Sequence, residues 1–273
     1  MALEIITIPC LSDNYAFLLH DAPSGQTALV DAPEAEPIRQ QLRDRGWRLS
    51  HILITHHHWD HVEAVEPLRQ EFGAKVIGAA DDAHRLPPLD LAVQAGDEIQ
   101  IGNHSGKVIA VPGHTTGHIA YHFPDSAALF SADSLMALGC GRLFEGSAEQ
   151  MWHSLQQLMA LPPQTMVYSG HEYTADNSGF AYSIEPNNPA LRQRICHIVN
   201  ARAQGQATVP SQLAEEIATN PFLRPDSREI RAQLGMETAS DLAVFTEIRR
   251  RKDNFKSIGA PDLGPAPDEE AEI

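Results

Sequence analysis

Apolar residues in the first half of the chain fall into short runs separated by turns. The runs over 4–8, 15–20, 27–31, 51–55, 75–77, 98–101, 107–111, 119–123 and 127–131 predict strands. Many are apolar at consecutive positions, the pattern of strands buried on both faces. Between them, residues 36–44 and 60–72 carry apolar positions at helical spacing. Strands interleaved with helices predict an α/β arrangement, sheets layered against helices, and exclude a pure β sandwich.

After about residue 175 the pattern becomes helical. Asn188-Pro189 reads as an N-cap with proline at the first helical position, and Leu191, Ile195, Ile198 and Val199 recur at helical spacing behind it. Further helices are expected over 212–218 and 241–253. The expected organisation is a mixed α/β domain over 1–172, a helical domain over 173–259, and an acidic, Pro-rich, disordered tail over 260–273.

Composition narrows the function classes. A net charge of -16 leaves no basic stripe for a nucleic acid, so any positive contact with a substrate must be local. Cys10, Cys140 and Cys196 are widely spaced, which suggests neither a disulfide framework nor a cysteine zinc site and fits a reducing cytoplasm. No apolar run reaches the ~18 residues of a membrane span and the start has no secretory pattern, so a cytoplasmic protein without membrane contact is expected. A monomer is the default.

The strongest chemical signal follows the apolar run Ile52-Leu53-Ile54. In Thr55-His56-His57-His58-Trp59-Asp60-His61, His56 and His58 lie two apart, on one side of extended backbone. Asp60 and His61 stand where the chain turns into a helix and can aim at a second point close by. A His-rich stretch can also be a solvated loop or a tag, but a tag does not follow a buried strand. More candidate ligands recur beside small residues at strand ends: His114, Asp133 and His171.

These residues resemble the metallo-β-lactamase superfamily, whose H-x-H-x-D-H signature matches His56, His58, Asp60 and His61 without a gap. The resemblance implies an αββα sandwich and two divalent metal ions, zinc in the first instance, with iron or manganese compatible. It implies one ion on His56, His58 and His114, the other on Asp60, His61 and His171, and Asp133 bridging them. His57 is left over and reads as structural; the eight other histidines, His118 among them, read as surface or packing residues. Two ions about 3.5 Å apart can share a hydroxide at neutral pH and polarise an acyl carbonyl, with Asp60 and Asp133 as catalytic residues.

Four further segments are similar to glyoxalase II, the hydroxyacylglutathione hydrolases: Ile8 to Tyr15, Gly139 to Gly146, Gly170 to Thr174 and Arg249 to Phe255. Only the acidic tail lies outside the resemblance. It implies hydrolysis of S-D-lactoylglutathione to D-lactate and glutathione in methylglyoxal detoxification. Arg249 and Lys252, one helical turn apart, would bind the glutathione glycine carboxylate, and Tyr173, Asn177 and Arg142 would make further substrate contacts. Phe144 stands where some members carry tyrosine. Cys140, between two glycines and without a histidine base, reads as packing. The alternative is another thioester or lactone hydrolase, or a glutathione persulfide dioxygenase, of the same fold.

Overall fold

The structure, a computed structural model, describes residues 2–257 and 259–263. Its first sheet runs in spatial order through β1 (Glu4–Cys10), β2 (Asn14–Asp21), β3 (Gln26–Val30), β4 (Leu49–Leu53), β5 (Lys75–Ala79) and β6 (Leu91–Val93). The β1-β2-β3 part is antiparallel, and β3 to β6 are parallel. The crossovers carry α1 (Ala35–Arg45), α2 (Trp59–Val62) and α3 (Val65–Phe72).

The second sheet holds β7 (Glu98–Ile101), β8 (His104–Ala110), β9 (Ile119–Phe123) and β10 (Ala128–Ala132), in antiparallel sequence. A small hairpin follows, β11 (Leu135–Met136) and β12 (Gly139–Cys140), and then α4 (Ala148–Met159). The chain returns as β13 (Met166–Ser169), parallel to β10. The helical part has α5 (Thr174–Ile184), α6 (Pro189–Ala203), α7 (Leu213–Thr219) behind the short edge strand β14 (Ser211–Gln212), α8 (Arg228–Leu234) and α9 (Asp241–Asp253).

Alternation along the strands assigns every layer. Phe17 and Leu19 on β2, Val30 on β3 and Leu53 on β4 point between the sheets, where they meet Val108, Tyr121, Phe123 and Phe130. The intervening residues Leu18, Leu29 and Ile52 face Ile38 and Leu42 of α1 and Val65 and Leu68 of α3. On the second sheet, Ala120, Leu129 and Val167 face outward onto Met151 and Leu155 of α4, Phe180 of α5 and Phe245 of α9. The chain therefore has the expected αββα sandwich with helices added at its C-terminal side. No helix among the described residues is long and apolar enough to cross a membrane.

The expected single helix over 60–72 is two helices. Pro67 is the third residue of α3, and in a continuous helix its ring would strike the carbonyl of Glu63. The break after Val62 isolates the turn that carries Asp60 and His61. Asn188 caps α6 as expected, its side chain accepting from the N–H of Leu191, 3.2 Å away. Ala260 and Leu263 lie against the α5–α6 cluster; the rest of the acidic segment, 264–273, lies outside the described residues.

Candidate metal centre and substrate cleft

Strands β4, β10 and β13 end at one edge of the sandwich, and the residues just past them are His56, Asp133 and His171. Ligand sites favour the carboxyl ends of parallel strands, where successive loops converge. The loop after β8 adds His114, and the turn into α2 adds His58, Asp60 and His61. Two glycines permit the convergence. A β-carbon on Gly170 would lie 2.5 Å from Asp133 Oδ1, and one on Gly141 would lie 2.0 Å from the Asp133 carbonyl oxygen.

The donor atoms fall into two groups. His56 Nε2, His58 Nδ1 and His114 Nε2 surround one point, at 3.1 Å between the first two and 3.0 Å between the last two. His61 Nε2 and His171 Nε2 lie 3.4 Å apart, with Asp60 Oδ2 at 3.9 and 3.6 Å from them. Asp133 stands between the groups: its Oδ2 is 3.3 Å from both His114 Nε2 and His171 Nε2, and its Oδ1 is 3.6 Å from His61 Nε2. Donors on a tetrahedral ion at 2.0–2.1 Å sit about 3.3 Å from one another.

The outer hydrogen bonds fix where the ring protons are. His61 Nδ1 faces the Asp31 carboxylate at 2.8 Å, His171 Nδ1 faces Asp13 at 2.9 Å, and His114 Nδ1 faces the Arg142 carbonyl at 2.8 Å. An acceptor in that position requires the nitrogen to carry the hydrogen. Thr55 donates its hydroxyl hydrogen to Asp31, so the same oxygen, 3.0 Å from His56 Nδ1, accepts there. Four Nε2 lone pairs therefore point inward at one another, an arrangement that cations resolve and hydrogen bonds do not. Asp133 Oδ1, buried among them, has no hydrogen-bond partner.

The electrostatics agree. Burial holds His56 well below the ordinary imidazole range and brings His58 to about 4. Burial also pushes on His61 and His171, but the Asp133 carboxylate, with Asp31 or Asp13 behind each ring, outweighs it and raises both, His171 to about 9. For Asp133, burial is overcome by His171 and His61, and its carboxyl lies far below the usual carboxylate range. The cluster thus calls for positive charge beside Asp133, which protons on His61 and His171 supply only when cations do not. The residues present fit two divalent ions.

Several residues outside the metal signature support it, and of these Asp13, Asn14 and Asp31 carry no role in the sequence reading. Asp13 and Asn14 sit on the β1–β2 turn, which is tied to the second sheet by Tyr15 N–H to the Gly170 carbonyl, 2.8 Å, and Glu172 N–H to Asp13, 2.8 Å. Asn14 Nδ2 donates to the Asp60 backbone oxygen and Oδ2, at 3.0 and 3.1 Å. Asp31, just past β3, has a φ of 54°, a left-handed conformation rare for residues other than glycine. His118 lies behind His56 and accepts the Asp133 N–H at Nε2, 3.3 Å. His57 turns away from the donors, with Nδ1 3.1 Å from Asp82.

A cleft of about 580 Å³ opens from the metal donors toward the helical part, lined by Arg142, Phe144, Tyr173, Asn177, Arg249 and Lys252. Tyr173 is 39% exposed and stacks on His171 at 4.7 Å and 4°, so it is no core aromatic. Asn177 is buried and donates to the Ala137 carbonyl, 3.0 Å. Arg249 is buried too, donating from Nη1 to the Cys140 carbonyl at 2.8 Å and from Nη2 to Asp253 at 2.7 Å. Lys252 reaches over Phe180 and Phe255, 5.4 and 5.8 Å from the ring centres. Burial, with Arg249 and Arg142 nearby, lowers its ammonium to about 8. The Cys140 thiol is pushed up to about 11, chiefly by burial, and stays protonated.

Two family descriptions cover almost the whole chain: "Metallo-beta-lactamase superfamily" over residues 13–171 and "Hydroxyacylglutathione hydrolase C-terminus" over 172–255. A curated hydroxyacylglutathione hydrolase from Cereibacter sphaeroides is 61% identical, covering 93% of this chain and 100% of its own. That from Ruegeria pomeroyi is 58% identical over the same shares. Among solved structures, ETHE1 from Myxococcus xanthus aligns with a TM-score of 0.63 at 26% identity, over 92% of this chain and 98% of its own. TTHA1623, solved in a di-iron-bound form, aligns with a TM-score of 0.59 at 25% identity, over 81% of this chain and 100% of its own.

Proposed function

This chain belongs to the hydroxyacylglutathione hydrolase family of the metallo-β-lactamase superfamily, and we propose that it hydrolyses S-D-lactoylglutathione and other S-2-hydroxyacylglutathiones to the hydroxy acid and glutathione, the second step of methylglyoxal detoxification. The observation that carries the reading is one cleft joining the inward-facing donor cluster to a half-buried lysine. The dioxygenase and lactonase alternatives are not favoured, since relatives matching at full length are hydroxyacylglutathione hydrolases.

We assign His56, His58 and His114 to one divalent ion, Asp60, His61 and His171 to the other, and Asp133 to both. Bound there, the ions would supply Lewis acidity toward the thioester carbonyl and an activated water at neutral pH. Zinc is our choice; His and carboxylate donors also take iron or manganese, and TTHA1623 was solved in a di-iron-bound form. Asp60, held through Oδ2 by Asn14, is assigned to orienting the attacking water. The departing thiolate is a weak base and needs no dedicated acid.

Substrate recognition is assigned to the far end of the cleft. Lys252 is the cation we assign to the glycine carboxylate. Arg249 contributes through its charge and by fixing the Cys140 backbone, since two of its nitrogens are engaged within the protein. Tyr173 and Asn177 are assigned to the glutathione backbone, and Arg142 to substrate contact from the loop beside the metals. We take 1–172 as the catalytic domain, 173–259 as the substrate-binding domain and 260–273 as a tail. A monomeric, cytoplasmic enzyme is our reading; the wide spacing of Cys10, Cys140 and Cys196 fits a reducing compartment.

Loss of thioester absorbance from S-D-lactoylglutathione tests the function. Metal-loaded protein is expected to turn it over, and Asp133→Ala to abolish turnover. A fully loaded protein that leaves the thioester intact would overturn the reading.

A further inference from the structure

The metal signature leaves His57 without an ion, and its side chain leads into a closed ring of charged groups outside the donor cluster. His57 Nδ1 meets Asp82 Oδ2 at 3.1 Å, and Arg85 Nε donates to Asp82 Oδ1 at 2.6 Å. Arg85 then grips Glu145 with both terminal nitrogens, Nη1 on Oε1 and Nη2 on Oε2, the latter at 3.1 Å. Glu145 Oε1 lies 3.6 Å from His57 Nε2 and closes the ring. Glu145 Oε2 also accepts from the N–H and hydroxyl of Thr116, at 2.8 and 3.0 Å.

The ring joins four separate stretches of chain: the metal loop at His57, the turn after β5 at Asp82 and Arg85, the loop that carries His114, and the loop over 141–146. That last loop presents Arg142 and Phe144 to the cleft. The Phe144 ring stands edge-on to His58 and His114, with centres 5.7 and 5.3 Å away, yet is 62% exposed. Little packs on its outer side, so the loop's placement depends on its anchors. Apart from the Arg142 carbonyl on His114 Nδ1 and the packing of Leu143, its ends are pinned by single backbone hydrogen bonds, Gly141 N–H to Ser134 at 3.2 Å and Gly146 N–H to Gly113 at 3.1 Å. Glu145 is its charged anchor.

A solvated ion pair would be worth little. This one differs: the Arg85 fork is bidentate, Asp82 behind it is 1% exposed, and the Glu145 carboxyl is held at about 2, chiefly by its hydrogen bonds from Arg85.

We infer that Glu145, gripped by Arg85, is a positioning residue for thioester hydrolysis: it fixes the loop over 141–146 so that Arg142 and Phe144 form the wall of the cleft beside His58 and His114. The inference rests on the function proposed above. Neither Glu145 nor Arg85 touches a metal donor, and the Arg142 carbonyl keeps its own hydrogen bond from His114 Nδ1 at 2.8 Å, so the expected effect of their loss falls on substrate binding with both ions retained.

The test compares the metal-loaded full chain with Glu145→Gln, Arg85→Met and the double variant. The readouts are metal content, KM and kcat for S-D-lactoylglutathione, and amide hydrogen exchange over 141–146. Each single variant is expected to raise KM about tenfold with kcat within about threefold, to speed exchange over 141–146, and to keep both ions. The double variant is expected to match the singles, because one ring is broken in each case. A KM within about twofold of the parent, unchanged exchange, or loss of an ion from Glu145→Gln would each overturn the inference. Should Arg85→Met fail to fold, Glu145→Gln carries the same test. If the parent itself leaves the thioester intact, the functional reading fails, and the exchange measurement still decides whether the ring holds the loop.

Discussion

The imidazole of His118 lies flat against that of His56, ring centres 4.6 Å apart and 11° from parallel, and its Nε2 accepts the backbone N–H of Asp133 at 3.3 Å. One buried ring thus supports a donor of the first group and the carboxylate that stands between the two groups. Burial brings His118 to about 3, so it stays neutral and adds no charge against the ions. His118→Ala is expected to weaken metal binding by roughly 10–100-fold, the usual cost of losing an outer partner. Chelator competition measures this directly, and an unchanged affinity would show that His118 only fills space.

Asp31 makes the corresponding contribution to the second group. Its carboxylate accepts from His61 Nδ1, from the Thr55 hydroxyl at 2.8 Å and from the Thr55 N–H at 2.9 Å. Asp31→Asn keeps the shape but removes the charge that makes His61 a stronger donor. At limiting metal, the variant is expected to retain the His56, His58 and His114 ion and to lose most of the other. Elemental analysis giving two ions per chain under those conditions would contradict the assignment.

The layered fold was legible because alternation and burial agree: Phe17, Val30 and Phe130 turn to one face of their strands, and Leu18 and Leu29 to the other. The donor set was legible because sequence places His56, His58, Asp60 and His61 side by side. The outer residues were not, because Asp13, Asp31 and His118 meet their ligands only through sheet pairing and loop return, which spacing does not encode. Helix α4 was visible in principle: Ser147 and Gln150 form a reciprocal cap ahead of Met151, Leu155 and Leu158. Helix α5 was hidden because its buried side is built from Thr174, Asn177, Ser178 and Gly179 as much as from Phe180 and Ile184, so no apolar period marks it, and the break before α3 because one proline decides it.

Lys252 gives the proposed enzyme a pH limit. Its ammonium is lowered to about 8, first by burial and then by Arg249, from an ordinary value near 10.4. Only the protonated form attracts a carboxylate, so KM is expected to hold steady below pH 8 and to rise above it, by up to about tenfold per unit, with little change in kcat. Lys252→Arg, which stays charged, is expected to remove the rise. A KM independent of pH between 7 and about 9.5 in the parent would mean that Lys252 does not bind the substrate carboxylate.

Glu216 carries the largest stability prediction. It is fully buried on α7, where Oε1 accepts from Arg194 and from the Ser211 hydroxyl at 2.6 Å. Its Oε2 accepts from the Leu138 N–H at 2.9 Å and from Asn220 Nδ2 at 3.1 Å. The carboxylate therefore ties α6 and α7 to the β11–β12 hairpin that brings Cys140 to the cleft. Glu216→Gln removes the negative charge and turns one acceptor into a donor, which must face either the Arg194 guanidinium and Ser211 or the Leu138 N–H and Asn220, while Arg194, 4% exposed, keeps Thr219 at 2.7 Å and Glu215 at 3.4 Å. Breaking one half of a buried pair costs about 3–5 kcal/mol, whereas replacing both halves by apolar groups costs far less. The urea midpoint of Glu216→Gln is expected to fall accordingly, and Arg194→Met with Glu216→Leu to recover part of the loss. A single variant within about 1 kcal/mol of the parent would mean that Arg194 reaches water or Glu215 readily, and that the pair does not hold the helices to the hairpin.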